Sequence, residues 1–497
     1  MNLASIIEPH PAESVALVSR GRETTYGDLR DQVAALRGGL AGLGVRPGDR
    51  VALAAGNNWY FVSSYLAVLG LGAIAVPLNP LAPAPELQRE LEVTGSRVLV
   101  AGPSAKHSVN GIRRDALPAL EHVVAAPGAG IDDVVDLGDL LTSEPMPLVD
   151  REPDDLAILM FTSGTAGAPR AAMLSHKNLL ANLEQVQSLP GRRQTADDVV
   201  FGVLPLFHIF GLNVVLGLTL LTGARVVLVE RFDPVSALEA IGRHSITIVT
   251  GPPTMWSAWG SVPNADPRAF ASVRIAVSGA AKLAVETAQQ IEDRFGLTID
   301  EGYGLTEAAP VVTSATGTSA PRGSIGSPLP GVEVRLVDPD GGDALVGDAG
   351  ELWVRGPSVF QGYWHEPEAT AAALTPEGWL RTGDIAIVDD SGHVFLVDRA
   401  KDLVIVSGFN VFPAEVEEVL IEHPAVEACA VVGVAHPHSG EAVKAYVVLE
   451  DGRSAEEDDL IAWCAERLAR YKCPTKVMFV EELPQGLAGK LLRRALR

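Results

Sequence analysis

Residues capable of chemistry crowd into one short run, Phe161-Thr-Ser-Gly-Thr-Ala-Gly-Ala-Pro-Arg170. The apolar stretch from Leu156 to Phe161 reads as a buried strand that delivers the chain straight into it. Gly164 and Gly167 free the backbone to curl so that several N–H groups point inward. The hydroxyls of Thr162, Ser163 and Thr165 add donors, which together make an anion cradle. Arg170 sets a fixed positive charge beside it, and Pro169 stiffens the exit. The Gly-Lys-Ser/Thr ending of the ordinary nucleotide-binding loop is missing, so the run needs partners elsewhere before a phosphate can be assigned to it. Ala171 to Leu174 then returns to strand, and Ser175 is placed to cap a helix from Lys177 to Gln187.

Candidate partners follow in order. Tyr303-Gly-Leu-Thr-Glu307 comes after a strand-like run, Leu297 to Asp300, and offers an aromatic face, a hydroxyl and a carboxylate. Arg381-Thr-Gly-Asp384 puts a carboxylate at the mouth of a hairpin, whose strands Ile385 to Val388 and His393 to Val397 flank Asp389-Asp-Ser-Gly392. Asp398-Arg-Ala-Lys-Asp402 ends that hairpin, Gly408-Phe-Asn-Val-Phe-Pro413 follows, and Gly489-Lys490 lies in a basic tail. Taken singly, each of these is a turn, a capped strand or a solvated end.

The elements that must position these groups alternate between strand and helix patterns from residue 15 to about 300, which indicates parallel sheets covered on both faces. Beyond about residue 320 the alternation turns to a smaller β-rich lobe. From Lys401 it becomes a compact α+β unit with a helix from Pro413 towards Ile421. The expected fold is therefore α/β: a large N-terminal domain, 1–400, of two parallel-rich sheets plus the β-rich lobe, and a small mobile C-terminal domain, 401–497. Two apolar runs, Phe61 to Leu78 and Ile209 to Val229, approach the roughly 20 residues of a membrane helix. Glycines break both, so each reads as a buried helix followed by a strand. A net charge of -23 argues against nucleic-acid binding and requires that any anionic ligand be met by local cations and N–H groups. The three cysteines, Cys429, Cys464 and Cys473, form no C-x-x-C pair. They point to neither a disulfide framework nor a structural zinc site, but to a reducing cytoplasm.

In this order the motifs resemble the adenylate-forming enzymes: acyl-CoA synthetases, luciferases and peptide-synthetase adenylation domains. The resemblance runs from Thr25-Tyr26 to Lys490. It implies that a carboxylic acid and ATP form an acyl-adenylate with release of pyrophosphate, and that a thiol then takes the acyl group. By that resemblance Thr162, Ser163, Gly164, Thr165 and Gly167 hold the β- and γ-phosphates with Arg170 beside them. Glu307 carries Mg2+ and Thr306 contacts the α-phosphate. Gly279, Ala280, Ala281 and Tyr303 sandwich the adenine, and Glu301 accepts from its amino group. Asp384 takes the ribose hydroxyls, assisted by Arg399. Lys490 reaches the reacting carboxylate and α-phosphate. Lys401 is the hinge about which the small domain turns to bring Gly408 and Phe409 to a tunnel for the thiol arm.

The same resemblance puts His208, Phe210, Met255, Trp256, Gly302 and Gly304 around the acid. No aspartate accompanies Leu206-Phe207-His208, so an amino acid, whose ammonium would be buried unpaired, is disfavoured. The leading expectation is a medium- or long-chain fatty acid joined to coenzyme A. A carrier-protein-loading acyl-AMP ligase and an aryl-acid–CoA ligase are the alternatives. Expected cofactors are ATP, Mg2+ and coenzyme A. The partners are small molecules, with no membrane span, peripheral membrane contact allowed, and a monomer or homodimer. Arg170 stands where the family usually has Lys, and Glu301 where it usually has Gln or Asn. Charge is kept at the first position, but Lys and Arg are poor substitutes at fitted sites.

Overall fold

The structure is a computed structural model that describes residues 2–162, 169–191, 193–399, 402–406, 409–436, 440–484, 491 and 493–496. Two compact units emerge: 1–333 with 354–380, and 334–353 with 381–497. The division differs from a single cut at 400/401, because the β-rich lobe groups with the C-terminal residues.

The first unit holds the two expected sheets. One has seven strands, in the order Val135–Asp136, His122–Ala125, Val98–Ala101, Arg50–Ala54, Ile74–Leu78, Leu156–Thr162 and Arg170–Ser175. All its pairings are parallel except the last. The other has nine strands and a parallel centre of Val15–Ser19, Arg225–Leu228, Val199–Gly202, Ile248–Gly251, Ile275–Ser278 and Asp300–Gly304. Valine, isoleucine and alanine dominate these strands because both faces are covered. The first apolar run resolves into a helix, Trp59–Gly70, and the strand Ile74–Leu78. The second becomes a π-helix, Phe210–Gly217, a short α-helix, Leu218–Thr222, and the strand Arg225–Leu228. Among the described residues no helix is long and apolar enough to cross a membrane. The strand expected at Leu297 to Asp300 instead starts at Asp300 and runs to Gly304, so Tyr303 lies within it.

Most of a four-stranded sheet, Glu333–Val337, Gly350–Arg355, Leu380–Val388 and Val394–Arg399, its last pair antiparallel, falls in the second unit, which also holds a five-stranded sheet. In the latter Gly440–Leu449 is the central strand and pairs along its length with the edge strand Val426–His436, and helices Pro413–Ile421 and Glu457–Ala465 cover the core.

One buried acid makes the fold pH-sensitive. Glu90, on helix Ala84–Thr94, is 6% exposed, and its Oε2 has no hydrogen-bond partner. Burial, and then the neighbouring Glu86, push its carboxyl up to about 7. A carboxyl raised in the folded state stabilises below its ordinary pKa, and that stability is lost as the pH climbs through 7. Glu90→Gln keeps the shape without the charge. Its stability advantage over wild type should grow from near zero at pH 4.5 to on the order of 3 kcal/mol at pH 8 in urea titrations. An advantage that does not change with pH would refute this.

Candidate active site

The loop strand Leu156–Thr162 and the exit strand Arg170–Ser175 are antiparallel, with Thr162 directly opposite Arg170. The register therefore fixes the mouth of the loop. Ser163, Gly164, Thr165 and Gly167 lie outside the described residues. Ser175 caps the next helix, His176–Gln187, in a reciprocal box with Asn178. A strap, residues 360–364, adds itself along the exit strand. Gln361 N–H donates to Met173 O at 2.9 Å, Met173 N–H to Gly362 O at 2.9 Å, and Trp364 N–H to Ala171 O at 2.8 Å.

The Tyr303–Glu307 segment is held from several sides. Its strand lies parallel to Ile275–Ser278, with Glu301 opposite Ser278, and a 3-10 turn, Thr306–Ala308, follows. Three buried asparagines pin the surroundings. Asn213 on the π-helix donates to Ala309 O at 2.7 Å, and Asn182 donates to Val311 O at 2.7 Å. Asn178 donates to Pro357 O and Val359 O at 2.9 and 2.8 Å. The strap closes the set: Phe360 N–H donates to Glu307 O at 2.8 Å, and Tyr363 Oη donates to Glu307 Oε1 at 2.7 Å. Burial, and then the Glu307 carboxylate, push the Tyr363 phenol well above its usual range, so it remains a donor. Arg170 ion-pairs through Nε with Glu366 Oε2 at 2.8 Å, and its guanidinium lies 5.6 Å from the centre of the Tyr363 ring. Nothing in the sequence motifs pointed to Tyr363 or Glu366. Only the fold reveals the strap: Gly362 has φ +123°, and Thr370 fills the space a Cβ would need.

The other expected adenine and acid residues divide by surroundings. Gly279 is buried, and a Cβ there would meet the Phe210 ring at 3.1 Å and Gly302 O at 3.4 Å, so the ring lies against bare backbone. Ala280 has φ +69°, a left-handed conformation that costs a non-glycine residue roughly 1–2 kcal/mol and persists only where the surroundings impose it. Ala280 and Ala281 are exposed, and Tyr303 is half-buried. The buried Glu301 carboxylate accepts from Leu283 N–H at 3.1 Å. Burial raises its pKa, opposed by the Leu283 and Gly323 N–H groups and by Lys282. His208 is exposed and Phe210 half-buried.

Two expectations about the acid pocket need correction. Trp256 is 0% exposed, packed 5.2 Å from Trp259 and 6.3 Å from Phe270, ring centre to ring centre. It presents no surface to a ligand, and its bulk is part of the aromatic core. Gly304 is glycine because a Cβ would run into the Pro310 carbonyl, so it gives no clearance to an acyl tail. Met255 is also buried, folded over Gly251. At Gly302, by contrast, the nearest atom to an added Cβ is Thr313 O at an ordinary 3.4 Å, so the missing side chain does leave room.

In the second unit Asp384 is buried and directly opposite Arg399 in the hairpin register. Thr382 Oγ1 accepts from Asp384 N–H at 3.1 Å and donates to Leu352 O at 2.6 Å, fixing the turn that carries the carboxylate. The side chains of Arg399 and Phe409, and the whole of Lys401, Gly408 and Lys490, lie outside the described residues.

A Mg2+ ion fits the donor set. Among the described residues no group of three or more His, Cys, Asp or Glu could hold a metal. The half-buried, hydrogen-bonded Glu307 instead offers hard oxygens of the kind that bind Mg2+ together with substrate phosphates.

Comparisons with known proteins agree with this geometry. The family profile "AMP-binding enzyme" matches residues 5–364, and "AMP-binding enzyme C-terminal domain" matches 415–490. A feruloyl-CoA synthase from Amycolatopsis sp is 38% identical over 493 residues, covering 99% of this chain and 96% of that protein. A long-chain-fatty-acid–CoA ligase from Escherichia coli O157:H7 is 36% identical, covering 98% and 92%. The crystal structure of ATP-bound MatB from Rhodopseudomonas palustris superposes with a TM-score of 0.92 at 32% identity, covering 100% of this chain and 98% of that one. The chain therefore belongs to the AMP-binding enzymes and is an AMP-forming acid–thiol ligase, of the acyl-CoA synthetases that work with ATP, Mg2+ and coenzyme A.

Proposed function

We propose that this ligase activates a flat, apolar monocarboxylate, an aryl or arylpropenoic acid, and transfers it to coenzyme A in the cytoplasm. The observation that carries the acid class is the half-buried Phe210 ring lying against the bare backbone of Gly279, an aromatic face on which another ring could stack. Trp256 lies in the core and Gly304 against the Pro310 carbonyl, so neither shapes room for an alkyl tail. The identity to feruloyl-CoA synthases is in keeping with this reading. A fatty acid is the second reading, favoured by the long-chain ligase relatives and by the room at Gly302.

The chemistry needs no general base, because a carboxylate is already ionised at neutral pH. The task is to bring one anion onto another in a chain of net charge -23. Thr162 and the loop residues Ser163, Gly164, Thr165 and Gly167 grip the pyrophosphate end of ATP as the leaving group. Glu307 would hold Mg2+, which would supply Lewis-acid stabilisation of the phosphate charge. Ala280, Ala281 and Tyr303 orient the adenine, and Asp384 with Arg399 the ribose. Lys490 and Thr306 align and neutralise the carboxylate and the α-phosphate. The small domain then turns about Lys401, withdrawing Lys490 and bringing Gly408 and Phe409 to the thiol.

A panel of benzoates, cinnamates and C6 to C18 fatty acids, assayed for acyl-CoA by mass, tests the acid class. Cinnamates should give the highest kcat/KM, and Phe210→Ala should lower it for them by about tenfold while changing the fatty acids less. Fatty acids as the best substrates, with Phe210→Ala neutral for the aryl acids, would exchange the two readings.

A further inference from the structure

We infer that Tyr363 is a positioning residue for the metal-binding carboxylate, and that Arg170, clamped by Glu366, serves Tyr363 rather than the phosphates of ATP. The inference rests on the functional reading above, since it presupposes that Glu307 holds Mg2+. Three contacts carry it. The Tyr363 hydroxyl is 2.7 Å from Glu307 Oε1, a charge-assisted hydrogen bond that sets the direction of the carboxylate. The Arg170 guanidinium stands over the face of that tyrosine ring, 5.6 Å from its centre, where a cation is attracted by the ring's electrons. Glu366 holds Arg170 there through Nε at 2.8 Å.

The backbone makes the arrangement rigid. The strap bearing Tyr363 is hydrogen-bonded along the exit strand at Ala171 and Met173, and to the carbonyl of Glu307 itself. One segment therefore splints the exit of the phosphate loop to the Tyr303–Glu307 motif. Arginine in place of the family's usual lysine fits this role. A planar guanidinium can stack on a ring and use its edge for a carboxylate at once, which an ammonium cannot.

The test is calorimetric titration of ATP into wild type, Tyr363→Phe, Glu366→Gln and the double variant, each with and without MgCl2, with thermal melts as a check on folding. Tyr363→Phe should lower the Mg2+-supported ATP affinity by tenfold or more while the metal-free affinity stays unchanged. Glu366→Gln should lose part of the same effect, and the double variant should be no worse than Tyr363→Phe, as expected for groups acting in series. If Tyr363→Phe keeps the wild-type response to Mg2+, or loses affinity equally with and without it, the assignment falls. Should Tyr363→Phe fail to fold, Glu366→Gln, on the more exposed side of the network, decides alone. A wild type whose ATP affinity ignores Mg2+ overturns the functional reading itself, a result distinct from a responsive wild type with an unaffected variant.

Discussion

Lys490→Ala will form acyl-adenylate at least about 10³-fold more slowly than wild type while still binding ATP, and will still convert synthetic acyl-AMP and coenzyme A to acyl-CoA. The attack joins a carboxylate to a phosphate that already carries negative charge, and removing a localised cation from that encounter costs most in the transition state. In the proposed mechanism ATP is held by many other groups, the loop residues, Glu307 with its metal, and the Asp384–Arg399 pair, so its affinity should fall only modestly. On the proposed reading the thioester step does not use Lys490, so it should survive. Single-turnover quench measurements of the two half-reactions separate these effects. Equal loss in both half-reactions would mean that Lys490 supports the fold or the nucleotide rather than the first step.

Arg493→Met should destabilise the C-terminal sheet unit by about 3–5 kcal/mol, the cost of leaving paired charges buried alone. Arg493 Nη2 meets Glu417 Oε2 at 2.6 Å and Nη1 meets Asp402 Oδ2 at 3.6 Å, with the arginine and Glu417 side chains only 19% and 18% exposed. Glu417 also accepts from Val431 N–H at 2.7 Å, so the pair ties helix Pro413–Ile421 to the edge strand Val426–His436. The same arginine anchors the chain just beyond Lys490, and Tyr446 Oη, donating to Leu496 O at 2.8 Å, anchors the end. Hydrogen exchange of the amides in 413–421 and 426–436 should accelerate in the variant. Unchanged protection there would reduce the ion pair to a surface ornament of little energetic weight.

Much of this was legible in the sequence because it depends on local pattern. The β-branched runs gave strands such as Val98–Ala101 and Arg225–Leu228, and Ser175 announced its helix through the hydroxyl needed at an N-cap. The order of motifs from Thr162 to Asp384 led to the family. What the sequence hid depends on contacts between distant segments. Tyr363 and Glu366 matter because the strap returns to the exit strand some two hundred residues later in the chain, and nothing local marks that return. Trp256 was placed around the acid by the resemblance alone, and only its packing against Trp259 and Phe270 shows that it belongs to the core. Gly304 was placed around the acid in the same way, whereas here the glycine marks a close approach of the Pro310 backbone. The π-helix at Phe210–Gly217 carried no periodic signature distinct from an α-helix.

The most direct test of the central claim is to supply a cinnamate labelled with ¹⁸O in both carboxylate oxygens, together with ATP, Mg2+ and coenzyme A, and to weigh the products. Attack of the carboxylate on the α-phosphate predicts one ¹⁸O in AMP, none in pyrophosphate, and acyl-CoA retaining one label. Label in inorganic phosphate with ADP as the nucleotide product would mean activation at the γ-phosphate and would contradict the account. So would unlabelled AMP.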